Sequence, residues 1–538
     1  MNPETPEHSA NHLAEVAEDA DIFAQEKGIN NEYQGPNART LPDAETIERL
    51  GRQRPVHFSN KWTELAFCFS IFMCQILSEY YVSGSNVLLP TLIKELDIPP
   101  SQSIWPATAL SLVVTATLLI FGRLADMFGG FVLYFGGMVW LTITSLIAGF
   151  SQNWLMLFIF RALQGLGLAA FLPSSIMILG RVYRPGPRKN LVFSIYGACA
   201  ALGFFVGIFF SGICGEFLSW SWYFFFGAIF SAITAVSSYF SIPSDWTEKR
   251  ATSKASMDWI GSALLVPGMV LFVFSIADSA HAPQGWKTSY IIVCLILGVL
   301  FLGAFIYVEG WVVENPLMPG DLFSVKYMKP LILALLCLYG CLGIYLLYAC
   351  LYMQDFMGAS PLQVVAWAVP MAVGGLILSV AGGYLLHMLN GTILIIIACL
   401  GYLASGLLFA LIPLGGNYWA FVFPAMIGGT IGIDISFNVT NIFITTNLSK
   451  ERQGLAGALI NCTLHFGIAI MLAFADIVQV HTEEYLGLRK SYQAAFWFQV
   501  GLAGFALAVV IAFVRIESAK SELTVDEKLE LEAAARQT

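Results

Sequence analysis

Residues 157–173 read LFIFRALQGLGLAAFLP, a run that is apolar enough to cross a bilayer apart from Arg161. A guanidinium group keeps its proton and is costly in hydrocarbon, so an arginine within a span normally faces a bundle interior or a wet cavity. Such residues usually mark a pathway for an ion or a substrate. Arg161 therefore indicates a membrane transporter.

The composition also indicates a membrane protein. Of 538 residues, 57% are hydrophobic and 12% are charged, and the mean hydropathy is +0.71. Ordinary soluble domains carry about 25% charged residues. The net charge is −9 with the acids clustered in the two tails, which argues against nucleic-acid binding. The ten cysteines lie mostly in apolar runs without ligand spacing, so we expect neither disulfides nor a metal site.

Fourteen windows of about twenty residues are apolar enough to form membrane-spanning helices. They lie near 62–90, 103–122, 131–150, 154–179, 190–213, 220–242, 259–277, 289–310, 328–353, 361–386, 391–412, 417–442, 453–476 and 492–515. Because their number is even, both ends of the chain are expected on the same side of the membrane.

The basic residues predict which side that is. Loops on one side hold Arg123, Arg181, Arg184, Arg188, Lys189, Lys249, Arg250, Lys254, Lys326, Lys329, Lys450 and Arg452, and loops on the other hold Lys94, Lys287, Arg489 and Lys490. Lysine and arginine concentrate on the cytosolic side of membrane proteins. Both termini are therefore predicted to be cytosolic. Residues 1–60 are polar and acidic, which predicts a disordered cytosolic tail without a signal peptide, and 516–538 form a second tail.

An internal similarity predicts two related halves. GRLADMFG (122–129) matches GYLLHMLN (383–390), and each stretch follows the second span of its half. A chance match in glycine-rich membrane sequence is the alternative. We expect six-helix bundles at 61–243 and 328–515, with two inserted transmembrane helices at 258–310.

Several motifs resemble those of a known family. RALQGLGLAA (161–170) is similar to the fourth-helix motif of the major facilitator superfamily, and GRLADMFGG (122–130) is similar to its loop motif. DWIGSALLVPGMVLF (258–272) and ENPLMP (314–319) resemble the inserted helices and linker of its fourteen-helix drug:proton antiporter branch. GIDISFNVTNIFITTNLSKERQGLAGALIN (432–461) resembles fungal members, the group of aminotriazole-resistance and boron-efflux transporters. The resemblance implies an all-α fold of two six-helix bundles plus two inserted helices.

The same resemblance implies a gate in the loop motif. Its residues here are Gly122, Arg123, Asp126 and Gly129. Asp126 lies near a helix end, where the N-terminus of a neighbouring helix favours an anion. We expect Asp126 to stabilise one end state of alternating access.

Two acids within spans are candidates for proton coupling, Glu79 and Asp434. A coupling carboxyl group must be neutral in one state and ionised in another, with burial favouring the first and a nearby cation such as Arg161 the second. The alternative for Glu79 is a residue near a helix end. Asp434, Asn438 and Asn441 recur at i, i+4 and i+7, so they share one helix face that either lines a cavity or bonds to another helix.

Four further residues are candidates for the substrate cavity: Gln164, Tyr345, Tyr348 and His465. Gln164 follows Arg161 by three residues and can share its face. The two tyrosines would give aromatic walls, although aromatic residues at helical spacing more often pack in a core. His465 has the same two interpretations.

The residues predict a transporter, and the resemblance implies a proton-coupled exporter of a small toxic compound or secondary metabolite. It would be a monomer in the cell membrane, or in the vacuolar membrane, and would bind protons, its substrate and lipid. We expect no cofactor and no enzymatic activity, because no nucleophile, acid and base converge and no GxxxxGK[ST] loop occurs. A proton-coupled importer and a non-transporting membrane sensor remain alternatives.

Overall fold

The computed structural model describes residues 54–55, 57–58, 60–183, 187–243, 257–313, 316–318, 320–447 and 450–516. Within them, fourteen helices are long and apolar enough to cross a membrane. The two predicted tails fall almost wholly outside the described residues.

The helices, numbered in chain order, alternate with short connections. They are α1 Lys61–Glu95, α2 Trp105–Phe128, α3 Gly130–Gly149, α4 Trp154–Val182, α5 Pro187–Phe217, α6 Ser221–Ser241, α7 Trp259–Ser279, α8 Ser289–Trp311, α9 Met328–Asp355, α10 Pro361–Met388, α11 Gly391–Leu411, α12 Phe423–Asn447, α13 Lys450–Leu486 and α14 Leu488–Phe513. No strand occurs in the described ranges. Because successive spans cross in opposite directions, the end of the molecule where α1 begins is called the near end and the opposite one the far end.

The first six and last six helices pack in the same pattern. In the N-terminal half, α1 packs on α5 and α6, α3 on α4 and α6, and α2 on α4. In the C-terminal half, α9 packs on α13 and α14, α11 on α12 and α14, and α10 on α12. Each contact of the first set has its counterpart eight helices later. The predicted all-α fold of two six-helix bundles with two inserted helices is confirmed.

Two helix pairs join the halves. They are α5 with α10 and α2 with α13. Because α10 is the counterpart of α2 and α13 is the counterpart of α5, the two contacts are equivalent, as a two-fold relation between the halves requires. The inserted helices α7 and α8 pack on each other, and α7 also contacts α2 and α13. A small apolar cluster forms there from Leu112 of α2, Ile276 of α7 and Ile470 of α13, among others. The inserted pair therefore covers the seam between α2 and α13.

Glycines permit the closest approaches between helices. A Cβ atom on Gly203 of α5 would lie 2.5 Å from Cα of Ile76 on α1, so the two backbones touch there. Between α2 and α3 a single residue, Gly129, makes the connection with a φ of 95°, which side-chain-bearing residues rarely adopt. Close backbone contact of this kind is typical of helices packed in membranes.

Candidate functional site

A cavity lies between the two halves. From the N-terminal half, α1 and α5 line it, and from the C-terminal half α9, α10, α12 and α13 do. Its empty volume is about 680 Å³ including its opening to solvent. The lining residues are Glu79, Gly197, Ala200, Ala201, Phe204, Leu342, Met371, Ala372, Thr430, Ile433, Asp434, Phe437, Asn438 and Leu464.

Both predicted coupling acids face this cavity. Glu79 comes from α1 and Asp434 from α12, so each half contributes one carboxyl group. Neither has a hydrogen-bond or ion-pair partner among the residues that the structure describes. Glu79 lies in the middle of the 35-residue α1 rather than near a helix end, which corrects that alternative. The cavity thus holds two carboxyl groups within a mainly apolar wall.

The polar stripe of α12 is shifted by one turn from the predicted one. Thr430, Asp434 and Asn438 line the cavity at i, i+4 and i+8. Asn441 does not line it, and its Nδ2 atom donates to the carbonyl of Phe437 at 2.9 Å. Extending the four-residue spacing backwards from Asp434 would have found Thr430.

A glycine on α10 lets Asp434 come close to the other half. A Cβ atom at Gly375 would lie 3.1 Å from Oδ2 of Asp434 and 2.8 Å from Cβ of Ala201 on α5. The close approach of α5 and α10 at this point therefore requires a residue without a side chain at position 375. Gly375 was not among the residues predicted from the sequence, in which the Gly374-Gly375 pair within a span was the available signal.

Arg161 is buried inside the N-terminal half and does not line the cavity. Its side chain is 1% exposed. Nε donates to the carbonyl of Pro106 at 3.2 Å, Nη1 to Oε1 of Gln164 at 3.2 Å, and Nη2 to the carbonyl of Tyr81 at 3.0 Å and Oγ of Ser85 at 3.2 Å. No carboxylate is among its partners in the described residues. The expectation that Arg161 serves a wet cleft is therefore corrected, because four neutral oxygens satisfy it.

Gln164 belongs to the same buried network. Besides accepting from Arg161, it donates through Nε2 to Oγ of Ser145 on α3 at 3.0 Å, and Tyr81 donates to the same oxygen at 2.6 Å. The network joins α1, α2, α3 and α4. Glu79 and Tyr81 are two residues apart, about 200° around a helix. The face of α1 that holds Arg161 is thus nearly opposite the face that bears Glu79.

The remaining predicted cavity residues lie in packed interiors, which corrects their assignment to the wall. Tyr345 donates to the sulfur of Met426 at 3.1 Å, and Tyr348 packs edge-on against Tyr492 with ring centres 5.6 Å apart. Both tyrosines are at most 3% exposed. The side chain of His465 is also buried, at the seam between α2 and α13.

The contact of His465 crosses that seam. Its Nδ1 atom lies 3.5 Å from Oγ of Ser111 on α2. The loop motif reaches the same seam, since a Cβ atom on Gly122 would lie 3.9 Å from Cβ of Ala458 on α13. Arg123 and Asp126 are half-buried, and each has an interaction partner in the structure. Their gating role stays a prediction.

At the far end, an ion pair ties the inserted helices to the C-terminal half. Nε2 of His281, in the connection from α7 to α8, lies 2.8 Å from Oδ2 of Asp476 on α13. Burial by itself lowers the pKa of His281, but the hydrogen bond to Asp476 and the charges of Asp476 and Asp278 together raise the pKa above its ordinary value. Asp278 in turn accepts from the hydroxyl of Tyr290 at 2.6 Å.

Two repeated six-helix halves with a cavity between them are the architecture of a secondary transporter of the membrane. Comparison with known proteins identifies the family. Residues 71–473 match the family model described as Major Facilitator Superfamily, and the chain belongs to this family of transporters.

Three fungal relatives span most of the chain. The efflux pump terJ of Aspergillus terreus is 30% identical over 502 residues, 92% of this chain and 95% of that protein. The low affinity ammonium transporter of Saccharomyces cerevisiae is 33% identical over 438 residues, 79% and 84%. The aminotriazole resistance protein of the same yeast is 29% identical over 489 residues, 88% and 89%. The predicted resemblance to fungal drug-efflux members is confirmed.

Proposed function

We propose that this protein is a proton-coupled exporter of a small toxic compound or secondary metabolite. The observation that carries the proposal is the pair of carboxyl groups, Glu79 and Asp434, that the two halves present to one cavity without protein partners in the described residues. Alternating access would rock α1–α6 against α9–α14 around this cavity.

An unpartnered carboxyl group in a cavity can take a proton or bind a substrate group. Because one acid belongs to each half, the occupant of the cavity changes the interactions of both halves at once. A ligand shifts a conformational equilibrium only through different affinities for the two states. Competition between protons and substrate for Glu79 and Asp434 would therefore drive the cavity to open alternately to the two sides of the membrane.

Arg161 would act as a positioning residue in this scheme. It fastens α1 to α2 and α4 through the carbonyls of Tyr81 and Pro106. This fixes the rotation of α1 about its own axis. The opposite face of α1, which bears Glu79, is thereby held towards the cavity.

Export from the cytosol is supported by two lines of argument. Relatives of this chain include an efflux pump and an aminotriazole resistance protein. Basic residues such as Arg123, Arg188 and Lys329 belong to the near end, so the positive-inside rule makes that end cytosolic in the cell membrane. The gate proposed at Gly122, Arg123, Asp126 and Gly129 would then close the cytosolic side.

A second candidate is uptake of a small molecule. It is favoured by the similarity to the low affinity ammonium transporter, which is as close as the similarity to the efflux pump. Import and export can use the same cavity and differ in whether the compound moves with the protons or against them. The direction of accumulation under an imposed pH gradient separates the two.

The test uses purified protein in liposomes with a pH gradient and an internal pH indicator dye. Addition of a transported compound should move protons in the opposite direction to the compound. Glu79→Gln and Asp434→Asn should each abolish the proton movement, while Glu95→Gln, at the exposed end of the same α1, should not. Proton movement that survives both cavity substitutions would refute the proposal, and movement in the same direction would make the protein an importer.

A further inference from the structure

We infer that the substrate is a small organic cation whose charged group lies between Glu79 and Asp434 and whose apolar part lies against Phe204 and Phe437. This assignment of a substrate class rests on the proposed transport function and makes it more specific. It follows from the charge of the lining residues, from the apolar surface around them and from the shortage of ligands for a metal ion.

The charge of the cavity is unbalanced. Among the residues that the structure describes, its lining includes two carboxyl groups and no lysine, arginine or histidine. Arg161, which is buried in the N-terminal half, is satisfied there by four neutral oxygens and does not line the cavity. Opposite charges attract more strongly away from water, and an anion would meet repulsion from both acids. The cavity therefore favours a cation, or protons in its place.

The surface around the acids suits an organic cation. Phe204 of α5 and Phe437 of α12 line the cavity from opposite halves, as the two acids do. Aromatic faces attract ammonium-type groups and bury apolar surface. Leu342, Met371 and Ile433 make the rest of the wall apolar. A charged group with an apolar body would contact both kinds of surface.

The metal ligands that the cavity offers argue against a metal ion. Calcium takes six to eight oxygen ligands, and magnesium requires a near-octahedral set. Outside the two carboxyl groups, the polar side chains of the lining are Thr430 and Asn438. Among the described residues, no three histidine, cysteine, aspartate or glutamate side chains lie together in a way that could hold a metal ion.

Binding of the cation would replace protons. A protonated carboxyl group of Glu79 or Asp434 releases its proton to solvent and then carries the negative charge that balances the cation. Each monovalent cation bound in this way releases one proton from the site. Lower pH should therefore weaken binding of the cation and leave binding of a neutral compound unchanged.

The test compares probes of equal shape on purified protein in lipid nanodiscs. Benzyltrimethylammonium carries the charge, neopentylbenzene has the same shape without it, and ammonium chloride has the charge without the apolar body. We expect the first to bind at least tenfold more tightly than either of the others, with proton release in weakly buffered solution. Glu79→Gln and Asp434→Asn should each weaken its binding at least tenfold and change binding of the neutral probe less than twofold. An unchanged thermal unfolding midpoint of each variant in nanodiscs shows that it is folded.

Equal binding of the charged and neutral probes, or equal losses for both in the variants, would overturn the inference. Equal binding of ammonium chloride would overturn the role of the aromatic wall. A pH gradient that drives export of neutral compounds through Glu79 and Asp434 would refute the substrate class and leave the proposed function intact. Charge-selective binding without any gradient-driven movement would support the cation site and refute the proposed function.

Discussion

The crossing of α5 and α10 gives the sharpest prediction, for the substitution Gly375→Ala. The new Cβ atom would lie 2.8 Å from Cβ of Ala201, and ordinary contacts between such atoms begin near 3.4 Å. Ala201 has no rotatable side chain, so relief requires the two helices to separate by about 0.6 Å at this point. We expect this substitution to disfavour the conformation in which α5 and α10 touch.

The size of the effect follows from overpacking. An added methyl group in a packed interior usually costs about 1–3 kcal/mol. A cost of about 2 kcal/mol corresponds to a shift of about 30-fold in the ratio of the closed to the open crossing. Because the two helices belong to different halves, this shift should appear as a change in the distance between halves and as slower transport.

The distance can be measured between spin labels at exposed Leu218 and Gln363, at the far ends of the two halves, in a background without native cysteines. Gly374→Ala is the matched control. Its Cβ atom would lie 3.3 Å from Cγ2 of Thr430, a contact within the C-terminal half. If Gly375→Ala and Gly374→Ala give the same distance distribution and transport rate, the reasoning is wrong.

Three further predictions concern the network, the gate and the far-end ion pair. Arg161→Lys should lower the free energy of unfolding in detergent by about 3 kcal/mol, because an ammonium group replaces the planar guanidinium group and about two charge-assisted hydrogen bonds are lost. A loss no larger than that of Ser85→Ala would contradict this. Asp126→Asn should slow transport per molecule while surface delivery stays normal, and equal transport by delivered protein would rule out the gate. The His281–Asp476 contact should stabilise the inserted pair fully below pH 6.5, the ordinary pKa of histidine, and lose that contribution as pH rises through the raised pKa of His281. Hydrogen exchange of residues 280–288 should thus accelerate at high pH beyond its intrinsic rate, and not in His281→Gln; equal pH profiles would refute it.

The sequence predicted the helices well because lipid imposes a simple rule. A span must be about twenty apolar residues long, and this requirement is visible without tertiary structure. Helix ends were less predictable. The first span was expected at 62–90, but α1 continues to Glu95, and α13 continues to Leu486 beyond an expected end at 476. A helix can continue into water at no penalty in hydropathy, so composition does not mark its end.

The site was predictable only in part. Glu79, Asp434 and Asn438 are polar residues in apolar spans, which is rare enough to single them out, and they do line the cavity. Arg161 and Gln164 are equally unusual in sequence, yet they form a network inside one half. The difference depends on how each helix is rotated about its axis, which packing against neighbours decides. Sequence periodicity gives the residues that share a face but not what that face meets.

The position of α7 makes the two seams between the halves mechanically unequal. Symmetry alone would let α2 part from α13 as easily as α5 from α10, but α7 lies against both α2 and α13, and comparable packing of the inserted pair on α5 or α10 is absent from the described residues. Any swing that opens the first seam must drag a lipid-facing hairpin along or slide past it. The seam between α5 and α10 has no such cover in the described residues, so a lipophilic substrate that enters laterally from the bilayer would meet less resistance there.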